Sequence, residues 1–118
     1  MSRELGSFGE DRAAAYLRRR GYKIVARNFA CRLGEVDIIA EKGDFIIFAE
    51  VKLRKSADFA QAREFVTAAK QARIIKTAEL WLCAEGCEKQ PRFDVIEVYA
   101  PRGAYGPVRI NHIEDAFM

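Results

Sequence analysis

The clearest hydrophobic pattern lies in residues 34–54, where two strand-like runs flank a short polar turn at residues 42–44. β-Branched and aromatic residues dominate both runs, and a Gly-Asp pair between such runs is typical of a β-hairpin. The second run is apolar on both faces over residues 45–49, the pattern of a buried central strand. We therefore predict that this hairpin forms the centre of a sheet.

Two helices are predicted around the hairpin. The first spans residues 7–20, because Ser7 and Glu10 have the spacing of a capping box and Gly21 is suited to ending a helix. The second runs from about Thr67 to Gly86 and is rich in helix-forming residues. Its predicted apolar face comprises Ala68, Ala72, Ile75, Ala78, Leu80 and Leu82, and Trp81 is interpreted as a core anchor.

The remaining pattern predicts strands at residues 22–29, 92–100 and 108–113. We expect loops at residues 30–34 and 101–107 and a polar turn at 55–58, while 59–65 is open between loop and helix. Residues 114–118 are expected to add a helical turn that packs Phe117 against the core. This order predicts one α/β domain over residues 1–118, with a mixed central β-sheet flanked by helices.

The two faces of the predicted hairpin differ in character. With a turn centred on residues 43–44, Asp37 lies opposite Glu50 and Glu35 lies opposite Lys52. A wider turn moves the partners by two positions but keeps Asp37, Glu50 and Lys52 on one face, since only a one-residue slip exchanges faces. The other face is an apolar layer in which Val36, Ile38 and Ala40 meet Val51, Ala49 and Ile47.

The charged face is a candidate catalytic site. Two carboxylates about 4 Å apart repel by roughly 4 kcal/mol at an effective dielectric constant near 20, so a shared proton, a cation or Lys52 must offset the repulsion. Oxygen ligands suit Mg²⁺, and the Val51 carbonyl is a further candidate ligand beside Asp37 and Glu50. Lys52 could orient or deprotonate a water. A cross-strand ion-pair ladder is the alternative, favoured for Glu35 with Lys52 alone.

Three sequence blocks resemble a known family. They are G-E-V-D-I-I at residues 34–39, F-A-E-V-K-L-R at 48–54 and R-F-D-V at 92–95. Together they resemble the YraN-like family of small bacterial proteins, from Gly9 to the closing N-H-I-E-D-A-F. The D…E-V-K pattern resembles the PD-(D/E)xK nuclease superfamily, which includes restriction endonucleases and Holliday-junction resolvases. Val36 replaces the superfamily's proline, and Leu53 stands where a small polar residue is expected.

The resemblance implies a restriction-endonuclease-like core and a metal-dependent endonuclease acting on nucleic acid. It favours DNA over RNA, with branched DNA among the candidate substrates, and Mg²⁺ as cofactor with Mn²⁺ as a substitute. It also implies a glutamate on the first helix near the metal, which matches Glu10. It implies a lysine at about the position of Lys70 and, by analogy with resolvases, a homodimer. Asp94 is singled out by the R-F-D-V block alone, as a supporting group.

Several basic residues are candidates for nucleic-acid binding. Lys70, Arg73 and Lys76 are spaced three apart on the second helix, and such a row can follow a phosphate backbone or simply face solvent. The candidates are Arg54, Lys70, Arg73 and Arg32. A non-catalytic nucleic-acid-binding module and a protein-partner-binding subunit are the alternatives to an enzyme.

Composition does little to distinguish between these functional hypotheses. The chain has 118 residues and a formal net charge of +3, which permits nucleic-acid binding without arguing for it. No apolar run is long enough to span a membrane and no secretion signal is recognisable, so a cytoplasmic location without membrane contact is expected. Cys31, Cys83 and Cys87 are expected to be free thiols, with a zinc site that includes His112 as the alternative.

Overall fold

The computed structural model describes residues 3–55 and 66–117, with side chains from Ser7 onward. The described residues do not include 59–65, which the sequence left open between loop and helix. They also exclude most of the polar turn predicted at 55–58, and Met118. Helix α1 spans Arg3–Arg19, and strands β1, β2 and β3 span Lys23–Cys31, Gly34–Lys42 and Phe45–Arg54. Helix α2 spans Ala68–Glu85, strands β4 and β5 span Gln90–Tyr99 and Arg109–Ile113, and a 3₁₀ turn covers Gly103–Tyr105.

The five strands form one mixed sheet in the order β1-β2-β3-β4-β5. β3 and β4 are parallel and the other neighbours are antiparallel. Since parallel neighbours need a crossover, α2 makes the connection between β3 and β4. This is the predicted α/β architecture, and it is consistent with a restriction-endonuclease-like core.

The helices cover opposite faces of the sheet. On one face, Trp81 of α2 packs edge-on against Phe48. Phe117 stacks on Phe93 of the same cluster, which confirms the prediction that Phe117 packs against the core. On the other face, Leu17 of α1 packs over the alternate residues of the central strands, such as Ile47. The central strand β3 is therefore buried from both sides, as its apolar pattern predicted. Among the described residues, no helix has both the length and the apolar composition that crossing a bilayer requires.

Both helices differ in detail from the prediction. α1 begins at Arg3, so Ser7 and Glu10 lie inside it and the predicted capping box is wrong. The helix formers at positions 3–5 extend it by one turn. α2 begins after the cap Thr67 and ends at Gly86, as predicted, but its buried residues are Ile74, Thr77, Ala78 and Trp81. The predicted face was wrong at Ala68, Ala72 and Leu80, which are exposed because they lie off the face that the buried residues of α2 turn towards the sheet.

Two further expectations are corrected. Val36 packs with Phe29 in the α2-side cluster rather than with Ile38. The alternation of faces fails beside Asn28 of β1, which has a left-handed backbone with φ 54° between the paired Arg27–Ile38 and Phe29–Val36 positions. The helical turn predicted at residues 114–118 is also wrong over 114–117, because residues 114–115 form a turn and residues 116–117 have no regular secondary structure.

Candidate metal centre

The centre of the charged site is the point where β2 and β3 stop pairing. Their register runs from Lys42 opposite Phe45 to Ile38 opposite Ala49, as predicted from the turn. Beyond it, Oδ2 of Asp37 accepts a hydrogen bond of 2.8 Å from the main-chain N–H of Val51. The side chain of Asp37 therefore accepts the hydrogen bond from β3 at the point where main-chain pairing with β2 ends.

The carboxyl groups of Asp37 and Glu50 meet at this point. They lie close enough to act on one another electrostatically, and the side chain of Glu50 is only 7% exposed. Burial, followed by the charge of Glu50, raises the pKa of Asp37 to about 7, and the charge of Glu10 adds to the effect. Two acidic groups in one partly dry site cannot both ionise cheaply, so one of them readily keeps a proton.

Two lysines face the same carboxylate. Lys70 Nζ, from the first turn of α2, lies 2.5 Å from Oε2 of Glu50, and Lys52 Nζ lies 3.7 Å from that oxygen. Burial, followed by the charge of Lys70, lowers the pKa of Lys52. Burial also acts to lower the pKa of Lys70, but the hydrogen bond and charge of Glu50 outweigh it and the pKa is raised. The structure thus brings together Asp37, Glu50 and Lys52, and adds Lys70 to them.

Glu10 approaches from α1. Its Oε1 accepts a hydrogen bond of 2.9 Å from Nδ2 of Asn28 and lies 3.4 Å from a guanidinium nitrogen of Arg27. Because Glu10 lies within α1, it is free of the capping role that the sequence suggested. These contacts hold Glu10 beside Asn28 and Arg27 of β1. Glu10 is then close enough to Asp37 for its charge to act on the Asp37 carboxyl.

A cavity of about 100 Å³ opens beside the two carboxyl groups. It is lined by Gly34, Glu35, Asp37, Glu50, Lys70, Arg73 and Ile74. Since a water fills about 30 Å³ of liquid, the cavity has room for an ion and a few waters. Gly34 permits the close approach of α2, because a Cβ there would lie 3.0 Å from Oγ1 of Thr77 and 3.3 Å from Cβ of Arg73.

The donor set of this cavity fits Mg²⁺. Within residues 3–55 and 66–117, no three His, Cys, Asp or Glu side chains are grouped closely enough to hold an ion. The candidate ligands are therefore the carboxyl groups of Asp37 and Glu50, the Val51 carbonyl and water. Mg²⁺ is commonly held by one or two carboxylates while it keeps several waters. Cys31, Cys83 and Cys87 are free thiols, as expected.

The basic candidates fall into different environments. Arg73 is exposed at the cavity, and Arg32 is exposed in the β1–β2 turn. Lys70 is engaged by Glu50. Arg54 donates from Nε to Oε2 of Glu97 over 2.8 Å, and its side chain is 9% exposed. Arg54 therefore lies in a buried ion pair rather than on the surface that a phosphate backbone would contact.

Asp94 does not support this site. It is fully buried on the α1 side of the sheet, where Nε2 of His112 lies 2.7 Å from its Oδ2 and Arg92 donates to both of its oxygens. The signal was present in the sequence, because Asp94 alternates with Phe93 and Val95, which face α2. By contrast, no local pattern indicated that Lys70 contacts Glu50, since that contact depends on how α2 packs.

Comparison with known proteins places the chain in a family. The model of the uncharacterised protein family UPF0102 matches residues 9–98. A UPF0102 protein of Symbiobacterium thermophilum is 45% identical over 118 residues, covering 99% of this chain and 98% of that protein. A UPF0102 protein of Geobacter sulfurreducens is 46% identical over 116 residues, covering 96% and 88% respectively. The chain therefore belongs to the uncharacterised protein family UPF0102, the family that its YraN-like sequence blocks indicated.

Proposed function

We propose that this protein is a metal-dependent endonuclease that hydrolyses phosphodiester bonds in nucleic acid. The observation that carries the proposal is the meeting of two carboxyl groups and two lysines beside a cavity of about 100 Å³. Structural ion pairs alone do not require two acidic groups in direct contact, because that contact costs free energy unless a proton or a cation joins them. The resemblance to Holliday-junction resolvases supports DNA, including branched DNA, as the substrate and a homodimer as the active form.

In this proposal Asp37, Glu50 and the Val51 carbonyl hold Mg²⁺, and Mn²⁺ can replace it. The ion, when bound, would stabilise negative charge on the phosphate group. Val51 links the two halves of the site in this proposal, since its N–H holds Asp37 in place and its carbonyl would be the third ligand. Glu10 adds negative charge near Asp37, which favours a divalent cation over a monovalent one.

Lys52 is the proposed proton acceptor. Its lowered pKa makes the neutral amine more accessible than in an ordinary lysine. As the oxygen of a water attacks phosphorus, the neutral Nζ takes one proton of that water and the bond from phosphorus to the leaving oxygen breaks. The leaving oxygen is then protonated by solvent. Lys52 thus acts as a general base, a role whose loss typically lowers a rate by about 10² to 10⁴-fold.

The direct test is cleavage of branched, duplex and single-stranded DNA and of RNA, with Mg²⁺, with Mn²⁺ and with a chelator. Asp37→Asn, Glu50→Gln and Lys52→Met should each lower cleavage by at least about 100-fold. Asp44→Asn, in the exposed β2–β3 turn, is the matched control and should cleave normally. Cleavage that survives unchanged in all three site variants would come from a contaminant and would refute the proposal.

A second candidate function is nucleic-acid binding without cleavage. It is favoured by the contact between Lys70 and Glu50, because that ion pair supplies a counter-charge to the acidic site from within the chain. Binding that weakens steeply with salt, together with no cleavage under any metal, would support this candidate over the enzyme.

A further inference from the structure

The carboxylate of Glu50, a proposed metal ligand, already has a cation in contact with one of its oxygens. Lys70 Nζ lies 2.5 Å from Oε2 of Glu50, the closer of the two lysine contacts. The side chain of Glu50 is 7% exposed, whereas that of Lys70 is 39% exposed. The anion is therefore buried in the sheet, while the cation reaches it from the solvent side.

The main chain at Lys70 is anchored independently of this contact. Its N–H donates to Oγ1 of the cap Thr67 over 3.2 Å, in the first turn of α2. Withdrawal of the ammonium from Glu50 therefore needs only rotation about the side-chain bonds and leaves the helix intact. Lys70 also lines the cavity, so its side chain borders the space where an ion would bind.

A divalent ion held by Glu50 would lie close to the Lys70 ammonium, whichever of the two carboxylate oxygens it used. Two cations that close repel each other strongly in a partly desolvated site. Lys52 lies farther from the oxygen, at 3.7 Å, and is not part of the cavity lining. Lys70 is thus the lysine that an entering ion would repel most strongly.

We propose that Lys70 is a tethered counter-cation, which holds the acidic pair in the metal-free protein and is displaced from Glu50 when a divalent ion binds. This inference rests on the proposed metal site. The displaced ammonium remains beside the exposed Arg73 at the cavity and is then available to a phosphate group. Metal binding and nucleic-acid binding therefore assist one another, because each favours the state in which Lys70 has left Glu50.

Calorimetric titration with Mn²⁺ tests the displacement directly. Lys70→Met removes the competing cation but keeps the length of the side chain, so it should bind Mn²⁺ about tenfold more tightly than wild type. Lys76→Met, an exposed lysine on the same helix, should bind like wild type. Asp37→Asn should bind far more weakly.

The possible failures are distinguishable. Equal or weaker Mn²⁺ binding by Lys70→Met, with binding by wild type intact, would overturn the role of Lys70 and leave the metal site standing. Lack of Mn²⁺ binding by every variant and by wild type would refute the metal site itself, and this inference with it.

A second measurement uses the wild-type protein and needs no variant to fold. An amine-acylating reagent, with the products read by peptide mass spectrometry, should modify Lys70 several-fold faster at saturating Mn²⁺ than with a chelator. Lys76 serves as the internal control and should react at one rate in both conditions. Equal Lys70 reactivity with and without bound Mn²⁺ would overturn the proposal.

Discussion

Asp37 on β2 is joined to Val51 on β3 by a hydrogen bond of 2.8 Å from the main-chain N–H to Oδ2. The bond lies just past the last paired position of the two strands, Ile38 opposite Ala49. It orients the Asp37 carboxyl towards Glu50. The hairpin therefore preorganises the site, and the closeness of the two acidic groups costs free energy.

That cost predicts a pH dependence of stability. The pKa of Asp37 is about 7 in the folded protein and ordinarily 3.8, so between these values the folded state retains a proton that the unfolded state has lost. Its contribution is complete below about pH 4 and is lost as pH rises through 7. We expect a loss on the order of 2 kcal/mol, about half the full linkage value because Asp37 is partly exposed to solvent.

About half of this difference, on the order of 1 kcal/mol, falls between pH 5.5 and pH 8, where urea unfolding with a chelator measures it. Asp37→Asn keeps an oxygen acceptor for the Val51 N–H but has no charge to lose, so its stability should change less between the two pH values. Asp44→Asn should behave like wild type. The interpretation fails if Asp37→Asn retains the full wild-type pH dependence.

Arg73 and Arg32 are predicted to contact phosphates. Each such contact contributes about 0.9 to the slope of log affinity against log salt for duplex DNA. Arg73→Gln and Arg32→Gln should therefore each lower the slope by about that amount, measured by fluorescence anisotropy in a chelator. Arg18→Gln, exposed in the last turn of α1, is the control and should leave the slope unchanged. An unchanged slope in both site variants would remove these residues from the nucleic-acid surface.

The buried cluster around Asp94 is predicted to stabilise the fold. Burial alone would raise the pKa of Asp94, but hydrogen bonds from His112, Arg92 and the Asp115 N–H hold it below its usual value. Its contribution is therefore present at neutral pH and is lost as pH falls below 3.8 through the folded pKa. Asp94→Asn should cost about 3 kcal/mol in the free energy of unfolding, because it leaves Arg92 without its buried partner.

Urea unfolding at pH 7 measures this cost, and Mn²⁺ affinity should stay at the wild-type value because Asp94 faces the other side of the sheet from Glu50. The exposed Asp44→Asn should lie within about 0.5 kcal/mol of wild type. A loss below about 1 kcal/mol for Asp94→Asn, or a changed Mn²⁺ affinity, would contradict this interpretation.

Gly34 is predicted to be required where β2 meets α2. Its φ of 157° lies in a region that side chains rarely adopt, and a Cβ would press on Thr77 Oγ1 and Arg73 Cβ. Gly34→Ala should cost about 1 to 2 kcal/mol and weaken Mn²⁺ binding, because the displaced helix turn carries a wall of the cavity. Gly43→Asn, in an open left-handed turn position, is the control for urea unfolding and should cost little. Wild-type stability in Gly34→Ala would show that α2 tolerates the added atom.

Much of the site followed from the sequence because a strand has a period of two. A turn at Gly43 and Asp44 sets the register, and the register places Asp37 against Glu50 with Lys52 on the same face. The ends of α2 could also be predicted from the sequence, since Thr67 and Gly86 cap the helix through hydrogen bonds to its own main chain. These features are local, so the order of residues is enough to determine them.

Only the tertiary structure decided which other groups join the site. Lys70 reaches Glu50 because α2 crosses the sheet with Ile74 and Trp81 facing inward, an orientation that its scattered alanines did not reveal. Periodicity specifies which residues share a face of one element, but the free energy of burial specifies which faces meet, and that depends on the whole chain.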